Sequence, residues 1–105
     1  MKTELTIEQS DKLIELGVNP DCASITKYTP DLSDVNIIFT LTDLLELLHP
    51  VEEYGGLMIG FSVERGLWRA SYDDTDFVAN GSNLIDALYK LLIWTLNYKN
   101  NSEDK

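Results

Sequence analysis

Ser82-Asn83-Leu84-Ile85-Asp86-Ala87-Leu88-Tyr89-Lys90-Leu91-Leu92-Ile93-Trp94-Thr95-Leu96-Asn97-Tyr98 is the stretch that decides the fold. Leu84, Leu88, Leu91, Leu92 and Thr95 recur at helical spacing, and Ile85, Ile93, Trp94 and Leu96 widen the apolar stripe beyond one face. So wide a stripe implies burial on more than one side, as in a helix around which a small core is built. Asn80-Gly81 reads as a turn before it, Ser82 can cap the first turn for about 1 kcal/mol, and Asp86 with Lys90 forms an i,i+4 pair, acid first. The segment is too short for a bilayer and carries both charges inside it. Residues 99–105 have nothing apolar to bury and read as a disordered polar tail, leaving 1–98 as a single domain.

Upstream, residues 57–63 and 67–72 form a hairpin around Arg65-Gly66. Pairing Val63 with Trp68, Phe61 with Ala70 and Ile59 with Tyr72 gathers the large apolar groups on one face, expected to be core. Met58, Gly60, Ser62, Glu64, Leu67, Arg69 and Ser71 are left on a mostly wet face. Leu41, Leu44, Leu45 and Leu48 share one face of a helix over 41–48. Thr40 caps it, Asp43 stands three residues on, Phe39 can staple onto Leu44, and Pro50 ends it. The β-branched and aromatic run 35–39 before that cap is a short strand, expected at an edge of the hairpin's sheet. Thr6 and Gln9 have the spacing of a capping box, which starts a helix at Ile7. Gly17 suits the left-handed residue after its end, with Val18 touching Leu13 and Pro20 blocking continuation. Residues 20–34 show no pattern beyond the anchors Ile25 and Tyr28. The expected fold is α+β: a small antiparallel sheet with a β-hairpin, packed on one face by a long C-terminal helix and shorter helices.

The 105 residues fit one domain, and 44% hydrophobic with 10% aromatic residues is too apolar for intrinsic disorder. Eighteen acidic against eight basic side chains give a net charge of −10, which repels phosphate backbones and anionic lipid and leaves a basic protein or a metal ion as the conceivable partner. Cys22 is the one cysteine, so neither an intrachain disulfide nor a multi-cysteine zinc site can form. With no apolar signal region at the N-terminus, the expected location is cytoplasmic.

Candidate chemistry is sparse. Asp73, Asp74 and Asp76 form the densest carboxylate cluster, the weak candidate for a hard cation. The calcium-loop order fails, however, because counting from Asp74 the fifth position is Val78 and the sixth is Ala79 rather than glycine. Glu52-Glu53 and the pair Asp31 and Asp34 are smaller acidic groups. His49, the single histidine, falls in the last turn of helix 41–48, where a cation suits the helix dipole. Cys22 has only Lys27 as a near basic neighbour and reads as a half-buried structural thiol. Gly55-Gly56 lacks the spaced glycines and the lysine of a phosphate loop. Trp68 and Trp94 read as core aromatics, and Trp94 with Tyr98 becomes an interaction surface if exposed. No catalytic residue, cofactor or cofactor-binding residue is indicated.

The blocks Leu5-Thr6-Ile7-Glu8-Gln9-Ser10 with Leu13-Ile14-Glu15-Leu16-Gly17, then Phe39-Thr40-Leu41-Thr42-Asp43-Leu44-Leu45-Glu46-Leu47-Leu48 before a proline, then a closing hydrophobic helix, resemble short uncharacterised proteins of Bacteroides-type gut bacteria and their prophages and mobile elements. The likeness spans most of the chain in three blocks of caps and leucine stripes, and carries no catalytic residue across. In that pattern a tryptophan often precedes the capping residue, where Phe39 stands here. The first functional reading is a non-catalytic accessory protein acting through protein–protein interaction, with an origin in phage or mobile-element biology implied by the resemblance. A small metal-dependent enzyme using the 73–76 loop with His49 is the second, and an acidic mimic of DNA is the third. Acids scattered along the chain predict no single acidic stripe across the domain.

Overall fold

The computed structural model describes residues 3–28, 35–48 and 55–103. Helix α1 (Ile7–Glu15) opens with a reciprocal capping box. The Gln9 N–H donates to Thr6 Oγ1 at 3.1 Å, and the Thr6 N–H donates to Gln9 Oε1 at 3.0 Å. It closes on Gly17 at φ 109°, whose N–H donates to the Ile14 carbonyl while the Val18 N–H reaches the Leu13 carbonyl, the doubly bonded ending that only a left-handed residue completes. A short 3₁₀ turn (Pro20–Cys22) follows. Helix α2 (Leu41–Leu47) repeats the box: the Asp43 N–H donates to Thr40 Oγ1, and the Thr40 N–H donates to Asp43 Oδ2 at 2.9 Å. Phe39 and Leu44 are both fully buried in one core, as the staple requires.

Strands β1 (Ile25–Tyr28) and β2 (Val35–Ile38) form a two-stranded antiparallel sheet of their own, with Ile25 opposite Ile38. The strand 35–39 was expected to edge the hairpin's sheet; it pairs instead with β1, which carries little periodic signal because Thr26 and Lys27 interrupt its apolar residues. The first described residues lie along this unit, where the Leu5 N–H donates to the Phe39 carbonyl and the Leu41 N–H to the Thr3 carbonyl. Helix α1 packs against β2.

The second sheet is antiparallel in the order β3 (Leu57–Ser62), β4 (Leu67–Tyr72), β5 (Val78–Gly81). Its hairpin register differs from the expected one by two residues: Leu57 faces Tyr72, Ile59 faces Ala70 and Phe61 faces Trp68. A shift of two keeps every side chain on its predicted face, so polarity alone does not separate the two registers. The turn decides. Gly66 takes φ 64°, and its N–H donates to the Ser62 carbonyl at 2.8 Å, which fixes Ser62 opposite Leu67. Asn80-Gly81, expected as a free turn, ends β5, with Gly81 opposite Trp68.

Helix α3 (Leu84–Glu103) lies over β5 and β4 and packs against α2. It begins at Leu84, which puts Asn83 rather than Ser82 just before it; the Asn83 amide donates to Asp86 at 3.2 Å. A Cβ on Gly81 would lie 2.7 Å from the Ala87 backbone nitrogen, so the helix turns back over the strand at a contact only glycine allows. The helix continues through 99–103, where an irregular tail was expected: no proline or glycine interrupts that stretch, and a formed helix gains one backbone bond for each residue added. Ile85, Ala87, Leu88, Leu91 and Leu92 are buried together with Leu5, Leu13, Phe39, Leu44, Leu48, Ala70, Tyr72 and Ala79 in a single core. Tyr72 joins the two halves of the chain through its hydroxyl, which donates to the Leu48 carbonyl at the end of α2. The fold is α+β, with overall dimensions of 46 × 40 × 17 Å, the last being the thickness of one helix layer on one sheet layer.

Candidate functional site

The side of the hairpin that α3 leaves uncovered is the most distinctive surface of the molecule. Side chains alternate along β3, so Leu57, Ile59 and Phe61 share the helix-side face with Trp68, Ala70 and Tyr72. All were expected in the core. Ala70 and Tyr72, lying under the helix, are buried, whereas Ile59 is 41% and Phe61 50% exposed because the helix sits over β4 and β5 and stops short of β3. Phe61 is covered only in part by Trp68, whose ring centroid lies 5.1 Å away at a tilt of 54°. Met58 on the opposite face is 55% exposed, and Val63 in the turn 85%. Edge strand β3 therefore shows apolar groups on both faces.

A surface groove of about 390 Å³ runs beside these residues, lined by Met58, Gly60, Phe61, Ser62 and Arg69 among others. Across 57–72 the charged residues are Glu64, Arg65 and Arg69, so the hairpin is slightly basic within a chain of net charge −10. The alternation that predicted the hairpin contained this surface but assigned Ile59, Phe61 and Val63 to the core, leaving Met58, Gly60, Ser62 and Arg69 on the wet face. Which strands α3 covers depends on its lateral position, and a strand's pattern does not encode that.

Asp73, Asp74 and Asp76 lie exposed in the β4–β5 connection. The Asp73 N–H donates to the Gly56 carbonyl at 2.9 Å, and a Cβ on Gly55 would lie 3.0 Å from the Asp74 carboxyl, which places this acidic loop beside the start of β3. Among the described residues no three histidine, cysteine, aspartate or glutamate side chains converge as a metal site. His49, Glu52, Glu53, Asp31 and Asp34 lie outside the described residues, as does the Tyr98 side chain. Trp94 is partly buried against the core, its ring stacked on Phe77 at 5.0 Å and 2°. Cys22 is exposed rather than half-buried, because the 3₁₀ turn carries it outward. No helix among the described residues is long and apolar enough to cross a membrane.

Sequence spacing did not reveal the role of Asp43. Besides closing the α2 box, its carboxylate accepts from the Ser24 N–H at 2.8 Å and from the Ser24 hydroxyl, nineteen positions earlier. Burial pushes this carboxyl up, and the bonds from Ser24 and Thr40 together outweigh it and hold the group below its ordinary value. These bonds join the first turn of α2 to the residue that leads into β1, so Asp43 acts as a structural tie.

No protein-family model, curated protein or solved structure matches the chain. Among the described residues, fold and surface define a small α+β protein whose edge strand β3 carries no charged side chain and pairs with β4 alone.

Proposed function

We propose that the protein is a non-catalytic accessory protein that acts by binding protein at the β3 edge of its sheet. The observation that carries this reading is the exposure of Met58, Ile59 and Phe61 along β3, with Val63 in the turn after it, on a strand that pairs with β4 alone among the described strands. An edge of this kind offers main-chain donors and acceptors to an incoming strand and apolar side chains to hold it. Net charge −10 supports a protein rather than a nucleic acid as partner. Cytoplasmic residence and a place in phage or mobile-element biology belong to the same proposal, the first supported by the lone cysteine and the second by the resemblance of the cap and leucine blocks. The test places a photoactivatable cross-linking residue at Met58 and, in a control, at the exposed Glu8 of α1, in cells expressing the chain. Protein adducts from position 58 that disappear with Ile59→Lys are expected. Adducts no more abundant from 58 than from 8 would refute the proposal.

A further inference from the structure

We propose that the occupant of this edge is a second copy of the same chain, with β3 pairing antiparallel to β3, Gly60 opposite Gly60, so that two three-stranded sheets become one of six strands. The inference rests on the reading of β3 as an interaction surface and names its partner.

Four observations converge on a second copy. Sheet proteins that stay monomeric guard their edges with lysine, proline or inward charge, and residues 57–63 contain none of these. The opposite edge differs: Lys90 of α3 donates to the Asn80 carbonyl of β5 at 2.8 Å. Gly60, in the middle of β3, has open space where a Cβ would stand, and a glycine inside a strand marks a place where another backbone approaches closely.

Register supplies the third argument. In a continuous antiparallel sheet, opposed residues share a face. With Gly60 on the two-fold axis, Ile59 meets Phe61 of the second copy, a contact made twice, and Met58 meets Ser62. Ile59 and Phe61, which α3 leaves exposed, then cover one another.

Charge supplies the fourth. Arg65 stands in the turn beyond the paired strands, at the end of the interface where β3 of the second copy begins, and the Asp74 carboxyl lies beside Gly55 just ahead of that start. Arg65 of each copy thus reaches the acidic loop of the other, at both ends of the interface. Glu64 shares that turn, while Arg69 stands on β4 opposite Gly60, near the axis. Of the 18 acidic side chains only Glu64 falls within 57–72, so two strongly acidic molecules meet where their repulsion is least.

Sedimentation equilibrium of the full chain decides the matter. A dimer with a dissociation constant of about 10 µM is expected, the range of a small strand-to-strand interface. Ile59→Lys with Phe61→Lys should leave a monomer that keeps the native circular dichroism. Arg65→Asp and Asp74→Arg, both at exposed positions, should each weaken self-association about tenfold, and an equimolar mixture of the two should recover wild-type affinity because opposite charges then meet at both ends. A chain still monomeric at about 200 µM, or a mixture no tighter than its components, overturns the self-pairing. If cross-linking from position 58 then captures a different protein, binding at β3 stands without self-pairing; if it captures nothing, both fail.

Discussion

Asp43 shows how much one side chain can organise. It is 4% exposed, and its two oxygens hold the first turn of α2 through Thr40 and the entry to β1 through Ser24. Hydrogen bonds to a charged acceptor contribute more than neutral ones, so Asp43→Asn should cost about 2 kcal/mol at neutral pH. Because the folded carboxyl ionises below its ordinary value of 3.8, its contribution is complete above that value and is lost as pH falls through the folded one. Urea melts of wild type and Asp43→Asn should therefore differ most near pH 7 and draw together below about pH 4. A gap independent of pH would show that the carboxylate charge plays no part. The bond to Ser24 could not have been foreseen, since it joins residues nineteen apart that meet only after β1 and β2 have paired.

At the junction of β2 and α2, two kinds of energy are separable. Thr40→Ala removes one arm of the capping box and should cost about 1 kcal/mol, whereas Phe39→Ala opens a cavity in the core and should cost about 3. Denaturant melts in which both changes are neutral would contradict the packing described for this junction. This element was readable because its signals are local: a cap, its partner three residues on, and leucines at helical spacing. The same holds for the α1 ending at Gly17. Strands were less readable. β1 has too few apolar residues to show a period, β5 consists of Val78, Ala79, Asn80 and Gly81, and the hairpin register was two residues off because Gly66, and not polarity, sets it. The candidate site shared that fate. Its residues were visible as a strand, but their exposure depends on where a helix from the far end of the chain comes to rest.

Considered as a whole, the molecule spreads its acids over most of the chain and gathers most of its exposed large hydrophobic groups on one hairpin, with Ile7 and Val78 exposed elsewhere. The strand ladders carry a further consequence, for how quickly the chain finds this arrangement. Tyr28 faces Val35, Ser62 faces Leu67 and Ser71 faces Val78, so each ladder closes through a short connection, and its widest pairs, such as Leu57 with Tyr72, remain close in sequence. Among the described residues, long-range contacts include the bridge between Glu4 and Thr40 and the packing of the helices on the sheets. Short closures lose little chain entropy before they gain contacts, which places folding in the millisecond range or faster, nearer to helical proteins than to β-sandwiches. Stopped-flow refolding from urea, at concentrations low enough to keep the chain monomeric, should show a dominant fast phase whose rate does not depend on protein concentration. Since pairing at β3 would join already finished sheets, a slower phase that quickens with protein concentration should appear only when the sample is concentrated.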